Sequence, residues 1–67
     1  MKNLKNTYTY HAPKGDQPER YEAIRAKARE LAELIEESCP ESWEKSIANT
    51  RLEEAVMWAN ASIARNE

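Results

Sequence analysis

The stretch SCPES, from Ser38 to Ser42, separates two long segments that both show helical hydrophobic periodicity. A proline disfavours helical backbone at the residue before it and is tolerated in the first turn of a helix, so Pro40 both ends one helix and prepares the next. Ser42 is a candidate N-cap for that second helix. Because two helices joined by so short a connection pack as antiparallel neighbours, this stretch predicts a helical hairpin.

The segment before SCPES is predicted to form a helix over residues 17–38. Asp16 is a suitable N-cap, Pro18 fits the first turn, and Glu19 completes the pattern of a capping box. An apolar stripe with spacings of three and four residues indicates the buried face of this helix. The stripe consists of Tyr21, Ile24, Ala28, Leu31 and Ile35, widened by Ala32 and Leu34.

The segment after SCPES is predicted to form a second helix over residues 41–65. Its apolar stripe consists of Ala48, Leu52, Ala55, Val56, Ala59 and Ile63. Trp43, Met57 and Trp58 fall outside the stripe, and two helices cannot cover them. A chain of 67 residues buries only about 60% of its unfolded surface on its own. With one cysteine and one histidine it can form neither an internal disulfide nor a zinc site. Self-association remains as the source of stability.

Residues 1–15 are predicted to form an arm in front of the hairpin. The sequence TYTY, residues 7–10, alternates in a way that favours an extended strand with both tyrosine rings on one side. Pro13 and Gly15 then end regular structure. The predicted fold class is therefore all-α, with residues 1–67 as one domain: an extended arm, then an antiparallel two-helix hairpin, assembled as a homo-oligomer.

Composition excludes several function classes. With 10 basic and 12 acidic residues the formal charge is −2, whereas proteins that grip polymeric nucleic acid carry a basic face. No apolar run approaches the roughly 18 residues of a membrane span, and the first residues lack the apolar core of a secretory signal. These features predict a cytoplasmic protein without membrane contact. No catalytic constellation, metal site or cofactor motif is recognisable, so an enzyme is not predicted.

The arm and the first helix carry a candidate ligand-binding site. Tyrosine rings stack on nucleobases, and two arginines one helical turn apart present two guanidinium groups side by side to phosphate oxygens. A histidine and a lysine of the arm complete the set. The six residues are Tyr8, Tyr10, His11, Lys14, Arg25 and Arg29.

A structural alternative stays open for the same residues. The tyrosines could pack the arm onto the hairpin, while Arg25 pairs with Glu22 and Arg29 with Glu33, each within one turn. In that case the chain is an oligomeric protein-binding module whose exposed Trp43 or Trp58 contacts a partner helix.

Four stretches resemble a family of small phage anti-defence proteins. They are YHAPK, ERYEAIRAKARELAELIEE, CPES and SIANTRLEEAVMWANASIARNE. The family comprises the cyclic-oligonucleotide sponges that block CBASS immunity, and it includes the similar helical hairpin of the Thoeris anti-defence sponges. The resemblance covers the chain from Tyr10 onward, and its last stretch is the most distinctive.

The resemblance implies a function and assigns roles to three residues. It implies a hexamer in the cytoplasm of the infected bacterial host, which holds cyclic nucleotide messengers without cleaving them. The implied ligands are cyclic dinucleotides such as cGAMP, cyclic trinucleotides and glycocyclic ADP-ribose. It implies that Tyr10 stacks on a base and that Arg25 contacts phosphate, with Arg29 beside it. The anti-CBASS branch has lysine where Arg25 stands, which keeps the charge and changes the geometry.

Overall fold

The computed structural model describes Tyr8 and residues 10–67, and the other arm residues, 1–7 and 9, lie outside the described residues. Two helices pack against each other: α1, Gln17–Ser38, and α2, Trp43–Asn66. Contacts between Gln17 and Glu67 at one end and between Glu36 and Lys45 at the other make the pair antiparallel. The described residues contain no strand. The predicted all-helical hairpin is confirmed.

The backbone of Tyr8 is helical, and residues 10–14 are neither helix nor strand. The extended strand predicted for TYTY is therefore wrong at Tyr8, while Thr7 and Thr9 lie outside the described part of the chain. An alternation of four residues is a weak signal, and an isolated strand leaves its backbone N–H and C=O groups without partners.

The start of α1 lies where the sequence predicts it, but the capping box is wrong. Asp16 makes no side-chain cap, because its backbone (φ −91°, ψ 11°) is not in the extended region that a capping residue normally adopts. Its carboxylate pairs instead with Arg20, with 3.2 Å between Asp16 Oδ1 and Arg20 Nη2. Gly15, at φ 58°, forms the turn in which the N–H of Gln17 donates to the carbonyl of Lys14 at 3.0 Å.

The predicted N-cap at Ser42 is confirmed, but the second helix starts later in the sequence than predicted. Ser42 is extended, and its Oγ accepts a hydrogen bond from the N–H of Lys45 at 3.2 Å. Because Ser42 is the cap, α2 begins at Trp43 rather than at the predicted residue 41, and it ends at Asn66 rather than 65. At the end of α1 the N–H of Cys39 donates to the carbonyl of Ile35 at 3.0 Å.

The spacing of Glu41 and Lys45 predicts an i,i+4 ion pair on a solvated surface, whereas the structure buries Lys45. Only 6% of the Lys45 side chain is exposed. Its Nζ lies 2.6 Å from Glu41 Oε1 and 3.4 Å from Glu36 Oε1, and it donates to the main-chain oxygen of Glu36 at 3.3 Å. The hydrogen bond to Glu41, followed by Glu36, raises the pKa of Lys45. This buried ammonium ties the end of α1 to the start of α2.

The face of α1 that packs on α2 is narrower than the predicted stripe. Ile24, Ala28 and Ala32 are half-buried, whereas Leu31 and Leu34 are 47% and 58% exposed. A single partner helix covers only one narrow strip of a helix surface, and here the small alanines lie in that strip. Leu31 and Leu34 are therefore left uncovered by the hairpin.

No apolar side chain is buried among the residues that the structure describes. The two helices lie side by side in a single layer. A single layer cannot enclose a hydrophobic core. The tryptophans and the methionine that the sequence places outside the stripes are accordingly exposed: Trp43, Met57 and Trp58. Neither α1 nor α2 has the length and hydrophobicity to cross a membrane.

Candidate functional site

A groove of about 390 Å³ lies where the arm meets the open end of the hairpin. We call it the arm groove. Three segments form its walls: the arm, the first turns of α1 and the last turns of α2. The lining residues are Tyr10, His11, Tyr21, Arg25, Asn60, Ala61, Ala64 and Arg65. Its volume falls in the range of about 300–1,000 Å³ that is usual for small-molecule sites.

Three of the six predicted site residues meet in the arm groove: Tyr10, His11 and Arg25. The side chain of Tyr10 is 83% exposed, so its ring is accessible for stacking. Arg25 Nη1 donates to Glu22 Oε2 at 2.9 Å, and both side chains are well exposed. A surface ion pair of this kind contributes little to stability. The guanidinium can therefore exchange Glu22 for an anionic ligand.

Arg29 lines a second groove of about 450 Å³, which we call the interhelix groove. Its other lining residues are Arg25, Ala28, Ala32, Glu36, Asn49, Leu52, Glu53 and Val56. Arg25 thus belongs to both grooves. Arg29 Nε lies 3.7 Å from Glu33 Oε2. The two arginine–glutamate pairs of the structural alternative are therefore present, and both lie at the protein surface.

Tyr8 and Lys14 line neither of these two grooves. The ring of Tyr8 is 83% exposed. The ammonium of Lys14 donates to the main-chain oxygen of Glu67 at 2.9 Å, so it is engaged at the end of α2. The arm therefore contributes Tyr10 and His11 to one site and uses Lys14 for a contact within the protein.

Sequence reasoning missed the part of the arm groove that comes from α2, including Asn60 and Arg65, and it assigned Tyr21 to the apolar stripe. The sequence predicts an antiparallel hairpin, but not the register that sets residues 60–65 opposite residues 21–25. The Oδ1 atom of Asn60 is buried and accepts no hydrogen bond within the described part of the chain. A buried acceptor of this kind is normally satisfied by a bound molecule or by water.

Four residues beside the groove form a network that we call the Glu67 cluster: Lys14, Gln17, Arg20 and Glu67. Arg20 Nη1 donates to Glu67 Oε2 at 2.7 Å, and Arg20 Nη2 donates to Glu67 Oε1, so the pair is bidentate. Gln17 Nε2 also donates to Glu67 Oε1, at 3.1 Å. The cluster joins the arm, the start of α1 and the end of α2.

The same contacts change the pKa values of the two charged partners. The hydrogen bond from Arg20, reinforced by Gln17, lowers the pKa of Glu67 from 4.5 to about 2. The hydrogen bond to Glu67 raises the pKa of Arg20, which therefore keeps its charge. A carboxylate with a depressed folded-state pKa stabilises the fold above its unfolded pKa, and this stability is lost as the pH falls through the folded value.

We expect Glu67→Gln to melt below the wild-type protein at pH 7, and we expect this difference to close between pH 4.5 and about 2. The charged hydrogen bonds to Arg20 exist in the wild type only while Glu67 is ionised. Thermal unfolding followed by circular dichroism at several pH values measures the difference. A gap in Tm that stays constant down to pH 2 would contradict the role of the Glu67 charge.

No group of three histidine, cysteine, aspartate or glutamate side chains in the described residues could hold a metal ion. The arm groove instead offers an exposed ring, two guanidinium groups, an imidazole and a carboxamide. This set can stack on a flat ring, neutralise an anion and donate or accept hydrogen bonds.

Comparison with known proteins identifies the family. No curated protein and no solved structure matches the chain significantly. A protein-family model described as "Acb2/Tad1, hairpin domain" matches residues 1–64. The match covers α1, the connector SCPES and α2 as far as residue 64, in agreement with the observed hairpin. The chain therefore belongs to the Acb2/Tad1 hairpin-domain family, the anti-CBASS and anti-Thoeris sponges.

Proposed function

We propose that this protein binds and sequesters cyclic oligonucleotide immune messengers in the cytoplasm of the infected bacterial host, without cleaving them. Cyclic dinucleotides such as cGAMP are the proposed ligands, with cyclic trinucleotides and glycocyclic ADP-ribose as further candidates. One observation carries the proposal: Tyr10 and Arg25 line the same groove in a chain that belongs to a family of cyclic-oligonucleotide sponges.

The chemistry of the arm groove suits such a ligand. The exposed ring of Tyr10 can stack on a base, because every base has a flat π-face. Arg25 can turn from Glu22 to a phosphate oxygen, since guanidinium groups bind carboxylate and phosphate in the same forked geometry. Tyr21, one turn before Arg25 on α1, and Arg65 on α2 add a second ring and a second guanidinium to the lining of the groove. A ligand with two bases and two phosphates requires such repetition.

We further propose that the site is completed by a second copy of the chain within a homo-oligomer, with a hexamer as the expected assembly. The arm groove is open on one side, and one hairpin presents only one layer of side chains. A pocket between symmetry-related copies offers each half of a cyclic dinucleotide the same groups. Self-association would also cover the exposed leucines, tryptophans and methionine.

A second candidate function is an oligomeric protein-binding module without a nucleotide ligand. It is favoured by the surface around Trp43, which is 76% exposed and borders a hollow of about 250 Å³. Ser46, Ile47, Thr50 and Arg51 line the same hollow. An aromatic side chain beside such a hollow can anchor a partner helix.

Purification from cells that synthesise cGAMP separates the two functions. We expect the purified protein to show excess absorbance at 260 nm and to release cGAMP on denaturation. Chromatography after long incubation should return the intact ring, because a sponge acts by affinity and stoichiometry. Linear products would contradict sequestration and indicate an enzyme. Protein that carries no nucleotide and gives no heat with any of the three ligand classes would favour the protein-binding module.

Arg25→Ala is expected to weaken cGAMP binding about ten-fold or more and to flatten its dependence on salt, because one charged hydrogen bond and one ionic contact are lost. Arg25→Lys keeps the charge and should be milder. Isothermal titration at three salt concentrations measures both quantities. A matched control is Arg51→Ala, which removes a similarly exposed arginine paired with Glu54 on α2. Equal losses in both alanine variants would indicate a general effect of charge and not a contact at Arg25.

A further inference from the structure

Gln17 is one of only two buried residues in the described part of the chain, with 3% of its surface exposed. It is the first residue of α1, a position where a polar side chain is normally solvated. Its Oε1 accepts a hydrogen bond from the N–H of Lys14 at 3.1 Å, and its Nε2 donates to Glu67 Oε1 at 3.1 Å. The buried carboxamide of Gln17 thus connects the arm to the end of α2: its oxygen binds the main chain of Lys14 and its nitrogen binds the side chain of Glu67.

Lys14 and Arg20 reinforce the same connection. Lys14 contacts Glu67 through its ammonium as well as Gln17 through its main chain. The Arg20–Glu67 pair is bidentate, which fixes its orientation as well as its distance. The bonds to Glu67 join residues that lie 47 to 53 positions apart in the sequence. The cluster therefore ties the turn between the arm and α1 to the end of α2.

The same three segments form the walls of the arm groove, although no residue of the Glu67 cluster lines it. Tyr10 and His11 lie three or four residues before Lys14, in a stretch without helix or strand. Such a stretch has no repeating backbone hydrogen bonds of its own. Its position therefore depends on its contacts with the rest of the protein and on the segments that flank it. The attachment on its C-terminal side is the turn that Gln17 holds.

We propose that Gln17 is a positioning residue for ligand binding, which acts through the Glu67 cluster to hold the arm with Tyr10 and His11 at the groove. This inference rests on the proposed function. If the arm occupies its docked position for only a fraction of the time, the apparent affinity falls to that fraction of its full value. A reduction of docking to one-tenth therefore weakens binding about ten-fold without removing any contact to the ligand.

Three variants separate hydrogen bonding from packing. Gln17→Met keeps the length of the side chain and removes both hydrogen bonds. Gln17→Glu keeps an acceptor for the N–H of Lys14 and faces the carboxylate of Glu67. The double variant Gln17→Glu with Glu67→Gln moves the carboxylate to position 17 and the carboxamide to position 67. An amide N–H then again faces a carboxylate oxygen across this contact. Glu54→Gln is the matched control, since it alters an ion pair within α2, away from the arm.

Two measurements test the inference independently. Hydrogen exchange at the Lys14 amide reports the arm attachment without any ligand. We expect exchange about ten-fold faster in Gln17→Met and near the wild-type rate in Glu54→Gln; the double variant should lie between them, because Glu67→Gln also removes the charged pair with Arg20. Titration with cGAMP should show about five- to ten-fold weaker binding in Gln17→Met and Gln17→Glu, with faster dissociation and unchanged helicity, and partial recovery in the double variant.

The outcomes test the attachment of the arm, the positioning role of Gln17 and the proposed function separately. Unchanged Lys14 exchange in Gln17→Met would overturn the attachment, whatever happens to binding. Faster exchange with undiminished cGAMP affinity, in a protein that loses affinity on Tyr10→Ala, would overturn the positioning role. Failure of the wild-type protein to bind any cyclic oligonucleotide would overturn the proposed function instead, and the exchange rate at Lys14 would still decide whether Gln17 holds the arm.

Discussion

Replacing Tyr10 with alanine is expected to weaken cGAMP binding about ten-fold or more, because one lost base stack costs on the order of 1–3 kcal/mol. The ring is 83% exposed and supports no buried core, so its removal should leave helicity and assembly unchanged. Isothermal titration gives the loss of affinity, and circular dichroism and light scattering check the fold and the assembly.

The conservative variant Tyr10→Phe tests whether the ring or the hydroxyl group matters. It should bind nearly as well as the wild-type protein, since stacking requires only the ring. The structural alternative makes the opposite prediction. If Tyr10 packs the arm onto the hairpin, Tyr10→Ala should lower Tm or loosen the assembly while affinity is retained. Full affinity in both Tyr10→Ala and Arg25→Ala would remove the arm groove as the binding site.

The second large effect concerns self-association. The described hairpin buries no apolar side chain completely, so a folded monomer gains only a small part of the usual hydrophobic free energy of folding. We expect the protein to be a homo-oligomer at micromolar concentration, and we expect its Tm to rise with protein concentration, as mass action requires. Light scattering and melting curves over a hundred-fold range of concentration measure both properties.

A substitution in the exposed apolar surface sharpens this test. Trp58 is 55% exposed beside the half-buried face of α2. If Trp58 is covered in the assembly, Trp58→Glu loses about 1.5–3 kcal/mol of burial per copy, which is about ten-fold or more in each association constant. The oligomer should then dissociate into smaller, less helical species. A monodisperse, folded wild-type monomer whose Tm is independent of concentration would contradict self-association and the site shared between copies.

Local sequence signals were sufficient for the hairpin. Pro40 and Ser42 locate the connection, since the geometry of proline and the serine cap depend only on adjacent residues. The same holds for the range of α1, which begins after the turn at Gly15. Two of the errors occur where a side chain had more than one partner within reach. Asp16 was predicted to cap the helix, yet its carboxylate pairs with Arg20. Lys45 was predicted at the surface, yet it is buried against Glu36 and Glu41.

The candidate site likewise contains some residues that the sequence could propose and others that it could not. Tyr10 and Arg25 could be proposed from residue type, helical spacing and resemblance, and both line the arm groove. Asn60 and Arg65 could not, because their place opposite Tyr21 and Arg25 depends on the register of the two helices. Likewise, Leu31 and Leu34 belong to the periodic stripe, but the crossing of a single partner helix leaves them exposed.

The sequence by itself determined the two helices, their connection and the residue types available for binding a ligand, because these depend on neighbours within a few positions. The tertiary structure alone decided which residues are buried and which share a groove. The attachment of the arm through Gln17 and Glu67 joins residues 50 positions apart. Periodicity along one helix carries no information on such a contact, since the contact exists only after the two helices have packed in one register.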